Sequence, residues 1–224
     1  MKRLLSSLIL PVALAAALLL PSAWAQQDSG DAISTHDGRG NFSTVYNLFD
    51  GQRYGIQVTR MTSSGYVQWT QQHSDGLIEK AHAAAMDGDG GLFIAGVRRH
   101  QDRKFMLLLK YDKNGWLSQE WADPNSDCAA LAAGVDPTGN VTVAGTCKYE
   151  NASPARVLHF NNDGALLWAD DYDGGGRNYV RDLQVDVQGN ISLTVETVSG
   201  NMRDGSYGTH VIVYNDVGQK IEVR

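Results

Sequence analysis

Residue types that could hold a cation gather at three places. Asp123, Asn125 and Asp127 alternate like the opening of a calcium loop, since carboxylate and amide oxygens suit that ion. The match then breaks twice. Cys128 stands where such a loop turns on glycine, and Gly134 stands where it closes on glutamate. Asp170, Asp171 and Asp173 run into Gly174, Gly175 and Gly176, the densest acidic patch of the chain, and read as a solvated loop between repeats. Four Asp-x-x-Gly turns supply one or two carboxylates each, which is too few for a metal and well suited to a capped turn.

Other chemistry is thinner. Arg60, Lys110 and His159 each lie five residues before a turn glycine and could ring an anion, although alternation on half-exposed strands also puts them there. Trp69, Trp121 and Trp168 fall near strand ends and read as wedges between repeats rather than as a sugar-stacking platform. The six histidines show no metal spacing. His36, His82, Arg181 and Asp182 are the groups offered to a site on a central axis. Asn41, Asn140, Asn151 and Asn190 match the N-glycosylation pattern, and three of them share one repeat position that turn chemistry explains without sugar. There is no Gly-x-Ser-x-Gly, no Cys/His nucleophile motif and no phosphate-cradling glycine loop. The sequence therefore nominates no catalytic residue, no metal ligand and no cofactor.

The elements that must position these residues come from a repeat. Asp37, Asp87, Asp136 and Asp186 are spaced by 50, 49 and 50 residues, and Gly40, Gly90, Gly139 and Gly189 each follow three residues later. Asp136-Pro137-Thr138-Gly139 shows why this is a turn: Asp caps, Pro presets φ, and Gly accepts a positive φ. A second turn glycine, Gly65, Gly115 or Gly164, follows each of the first three aspartates by 28 residues, and Gly218 follows Asp186 by 32. β-rich segments flank both turns. First strands are expected at 32–36, 81–86, 129–135 and 180–185, and second strands at 42–46, 92–97, 141–147 and 191–196. Third strands are expected at 54–61, 104–111, 155–160 and 209–214, and fourth strands at 66–70, 116–121, 165–168 and 219–223. No segment after the leader holds a helical period. Repeats near 50 residues, each an antiparallel four-stranded meander, predict an all-β, propeller-like fold. The alanines at 83–85 and 129–133 suit innermost strands crowding an axis, whereas Arg181 and Asp182 place charge there in the last copy. A hairpin centred near residue 138 sets Cys128 opposite 147 or 148, so Cys128 and Cys147 are expected to form a disulfide closing a short loop.

The pattern Asp-x-x-Gly-Asn-apolar-x-Val-Ala-Gly, then Leu-x-Lys-Tyr-Asp-x-x-Gly-x-Leu-x-x-x-Trp, is best seen at 136–145, 108–121 and 160–168. It resembles the repeat of bacterial secreted β-propeller proteins, of the SBBP-like and delta-60 type. The resemblance implies a propeller and little about function, because those repeats serve many purposes. Larger members carry more units than the four seen here, so either four blades close alone or two chains combine into a larger ring.

Residues 1–25 combine a basic start, an apolar middle broken by Pro11 and an Ala-x-Ala ending, which predicts a cleaved secretory leader. Residues 26–224 then form one propeller-like domain, with repeats at about 31–78, 79–127, 128–178 and 179–224. Loss of Lys2 and Arg3 takes the formal net charge from −6 to −8, which argues against nucleic acid and anionic lipid as partners. The expected location is periplasmic or extracellular. Two function classes follow. The first is a non-catalytic module binding a protein or small molecule through the loops at 47–53, 98–103, 148–154 and 197–208. The second is a hydrolase or lyase with its site at the axis.

Overall fold

The structure is a computed structural model that describes residues 26–27, 32–75, 77–123, 127–149, 152–200 and 205–224. The leader at 1–25, Asn125, Asn151 and the 201–204 part of the last loop lie outside the described residues.

Each Asp turn is closed the same way. The Asp37, Asp87, Asp136 and Asp186 carboxylates accept the main-chain N–H groups two and four residues on, at 2.7–3.0 Å. The turn glycine donates to the aspartate carbonyl, and Gly139 does so with φ at +86°. Asn41, Asn140 and Asn190 add a side-chain hydrogen bond to the same carboxylate. In the second repeat Gly91 replaces that asparagine, and a Cβ there would lie 2.4 Å from Asp87 Oδ2.

These turns fold the chain into four antiparallel sheets, each a blade. The first holds β1 (Gln26–Gln27), β2 (Ile33–His36), β3 (Phe42–Phe49), β4 (Tyr54–Met61) and β5 (Val67–His73), with β1 and β2 both pairing with β3. The second holds β6 (Ile78–Met86), β7 (Leu92–His100), β8 (Arg103–Tyr111) and β9 (Leu117–Ala122) in sequence order. The third holds β10 (Cys128–Val135), β11 (Val141–Cys147), β12 (Ala155–Phe160) and β13 (Leu166–Tyr172). The fourth holds β14 (Arg177–Val185), β15 (Ile191–Ser199), β16 (Ser206–Tyr214) and β17 (Lys220–Val223). Cys128 and Cys147 face each other in register, with Cα atoms 4.0 Å apart and their sulfurs bonded. No helix occurs among the described residues.

The first strands stand side by side, β2 against β6, β6 against β10 and β10 against β14. The second and third blades are apolar on both faces, and facing pairs of blades bury three clusters. Val45, Ile56 and Val58 pack on Leu92, Ile94, Leu107 and Leu109. Phe93 and Met106 pack on Val143, Leu158 and Phe160. Ala144 and Val157 pack on Ile191, Leu193, Ile212 and Tyr214. These three clusters join the first blade to the second, the second to the third and the third to the fourth.

Candidate functional site: a cationic cleft at the loop end

Register shifts interrupt three first strands at matching places, between Ala81 and Ala83, Ala130 and Ala132, and Val180 and Asp182. A bulge leaves one residue unpaired and re-aims its side chain. The residue so released is His82 in β6, Leu131 in β10 and Arg181 in β14. Gly96 and Gly145 make room for this on the neighbouring strands. A Cβ on Gly96 would sit 2.0 Å from the Lys80 carbonyl oxygen, and one on Gly145 would sit 2.1 Å from that of Ala129.

Beside two of these bulges the preceding blade supplies a polar latch. Asn47 accepts from the Ala81 N–H at 2.8 Å and donates to the Ala81 carbonyl at 3.0 Å. Thr146 Oγ1 accepts from the Val180 N–H at 3.2 Å. Both lie seven residues past their turn glycine. The same position in the second blade is Val97, which has no polar group to offer. There His82 Nδ1 donates to the Ala130 carbonyl at 2.8 Å instead, and a cleft opens next to it.

The cleft encloses about 300 Å³ and is lined from three blades. Ile78, Lys80 and His82 come from β6, Val97 and Arg99 from β7, Lys104 from β8, Tyr54 from β4 and Ala129 from β10. Arg99 pairs with both Ile78 and Lys104 across the ladder, which brings the two long cationic side chains to one face. Lys80 Nζ lies 3.6 Å from the centre of the Tyr54 ring. Burial, and after it the charges of Lys80, Lys104 and Arg99, holds the His82 imidazole below its ordinary pKa, against the opposing hydrogen bond to Ala130. The cleft lies where β6 begins and β7 ends; the strands run further than expected, so the connections there are only 50–53 and 101–102.

Arg98, one residue away, shows the contrast. It points to the opposite face and meets Glu79, Glu120 and Asp75 at 2.5, 2.5 and 3.1 Å. Glu79 is fully buried, and hydrogen bonds from His73 and Arg98 outweigh its burial and hold its pKa low. The same partnership raises His73 despite its burial. Arg98 thus belongs to a closed structural network, whereas Arg99 and Lys104 have no ion-pair partner among the described residues.

The residues singled out in the sequence fall elsewhere, with one exception. Of His36, His82, Arg181 and Asp182, only His82 lines the cleft. Arg181 pairs with Glu196, and Asp182 accepts from the Leu183 N–H and from Gln184. Arg60, Lys110 and His159 do not form one ring. Arg60 pairs with Asp37 at 3.0 Å and donates to the Gly90 carbonyl of the next blade at 2.7 Å. Lys110 donates to Asn162 of the next blade, and His159 bonds Thr142 and stacks on Trp168. Trp69 Nε1 donates to the Lys113 carbonyl, and Trp168 Nε1 to that of Asp216, each in the following blade. Trp121 sits two residues beyond the matching position, which is Gln119, and meets Phe160 edge-on.

The acidic candidates are spoken for. Asp123 lies 3.5 Å from Arg156, and Asp127 accepts from the Lys104 N–H. Asp170 takes Tyr214 and Lys220, Asp171 takes Arg156, and Asp173 takes Gly175 and Asn178. Among the described residues no three His, Cys, Asp or Glu side chains are placed to hold a metal.

The chain matches no family profile, and no curated protein matches it. Solved structures do match. The Hadza microbial sialidase Hz136 is 14% identical with a TM-score of 0.57, over 84% of this chain and 44% of that one. The subtype N10 neuraminidase-like protein of A/little yellow-shouldered bat/Guatemala/060/2010 is 11% identical with a TM-score of 0.55, over 91% of this chain and 59% of that one. The fold is β-propeller-like. The chain spans about half the length of these two propellers. No family match supports the specific resemblance to SBBP-like and delta-60 repeats.

Proposed function

We propose that the protein is an exported, non-catalytic binding module that holds a small ligand in the cleft between its first three blades. One observation carries this reading: a cavity of about 300 Å³, at the loop end of a scaffold whose turns and blade junctions are otherwise latched. That volume suits a small molecule, and loops on a rigid frame are where such sites lie. The described lining supplies cations, an imidazole, one aromatic ring and aliphatic surface. It contributes no carboxylate for the paired acid and nucleophile of glycoside hydrolysis. This set suits the binding of a ligand. The leader-like residues 1–25 and the Cys128–Cys147 bond suit an oxidising compartment outside the cytoplasm.

Ultrafiltration of the mature protein with small molecules from its own envelope extract, followed by mass spectrometry, tests this. A molecule retained at unchanged mass supports the module. A molecule converted to a cleaved or eliminated product overturns it in favour of a hydrolase or lyase. Retention of nothing overturns it as well.

A further inference from the structure

The chemistry of the cleft narrows its ligand, on the reading that the cleft is the binding site. Lys80, Arg99 and Lys104 reach one cavity from three adjacent strands, and His82 adds a ring nitrogen. The chain around them is acidic, with a formal net charge of −6. Its other well-placed arginines are answered. Arg60 has Asp37, Arg98 has three carboxylates, Arg156 has Asp123 and Asp171, and Arg181 has Glu196. Arg99 and Lys104 are not answered among the described residues. Asp127 is engaged by the Lys104 main-chain N–H at 2.9 Å. The like charges of Arg99 and Lys104, paired across neighbouring strands, repel one another, and an anion between them removes that repulsion.

We infer that the cleft binds a small multiply charged anion, a molecule whose charge sits on carboxylate or phosphate groups. The Arg99 guanidinium offers a planar fork that fits either oxyanion bidentately, and the two lysines supply mobile point charges. Tyr54, Ile78 and Val97 give the carbon skeleton an apolar wall. His82 starts with its pKa held down, and an anion beside it raises that pKa, so binding takes up protons. The ligand should bind more tightly as pH falls.

Titration calorimetry of the mature protein with citrate, with inorganic phosphate and with glucose as a neutral control tests this at low and high ionic strength. Arg99→Gln and Lys104→Gln remove exposed, unpartnered cations, and an unchanged Tm shows that each variant still folds. Citrate, phosphate or both should bind, each variant should weaken binding about tenfold or more, and salt should weaken it further. Citrate alone identifies a polycarboxylate, and phosphate alone identifies a phosphate ester. Neither anion binding, or variants binding as tightly as the parent, overturns the inference. In that case a neutral molecule retained on ultrafiltration leaves the binding module standing, and no retained molecule removes both.

Discussion

Three histidines placed by one repeat sit in three electrostatic settings, and their titrations can be separated. His82 and His159 are each pushed below the ordinary value by burial, with the cleft cations adding to the effect at His82. His73 is raised, because Glu79 outweighs the cost of burying its charge. A nitrogen-detected NMR titration should therefore place His82 and His159 below free histidine, at about 6.5, and His73 above it. The stability consequences have opposite signs. A group with a depressed folded pKa contributes stability that is present above the unfolded pKa and is lost as pH falls through the folded value. His82 and His159 therefore favour unfolding in acid. His73, with a raised folded pKa, contributes stability that is complete below the unfolded value and is lost as pH rises through the folded one. Denaturant unfolding of His82→Gln should show a shallower loss of stability on the acid side than the parent, and an identical pH profile would contradict the assignment. At this scale little was legible in the sequence. His82 stood out only as a residue on an innermost strand. The bulge that turns it toward the cleft depends on which residues pair across β6 and β7, and an alanine-rich run does not reveal that.

The elements were far more legible, because turn chemistry is local. Asp136-Pro137-Thr138-Gly139 needs no tertiary partner to read as a turn, and the all-β, four-stranded repeat follows from four such turns. The Ala-Gly of the repeat has a tertiary reason that spacing does not show: Gly96 and Gly145 admit the backbone of a bulged neighbour. The latch position was also present in the sequence. Asn47 and Thr146 are polar seven residues after their glycine, and Val97 breaks the pattern at the blade that carries the cleft. Wedges follow a similar rule. Trp69 lies over Gly115 and Trp168 over Gly218, where a Cβ would come within 2.8 and 2.7 Å of the rings. The fourth blade carries exposed Glu222 at that position, with no following blade to meet. Trp69→Ala and Trp168→Ala should each cost somewhat less than the ~3–5 kcal/mol of a fully buried aromatic ring, since both tryptophans are half-buried. Glu222→Ala should stay within about 0.5 kcal/mol. Urea unfolding of the three variants checks this, and equal costs at all three positions would contradict the wedge roles of Trp69 and Trp168.

At the scale of the whole molecule, the first and last copies differ from the two between them. The outward face of the fourth blade carries Ser192, Thr194 and Glu196 opposite Val213, Val211 and Thr209. The outward face of the first carries Thr44 and Tyr46 opposite Thr59 and Gln57. These faces mix polar and apolar residues, whereas the faces between blades are apolar. Arg181 and Asp182 fit the same logic: the innermost strands of the second and third blades are flanked on both sides and hold alanine, whereas β14 is flanked on one side and holds charge. The cleft is lined by the first three blades and by none of the fourth. Chemical-shift mapping of the mature protein during a citrate titration tests this account most directly. The account predicts that the amides of Lys80, His82, Val97, Arg99 and Ala129 move together and saturate, while those of the fourth blade stay still. Shifts scattered over the surface, or none at any of these five residues, would contradict it.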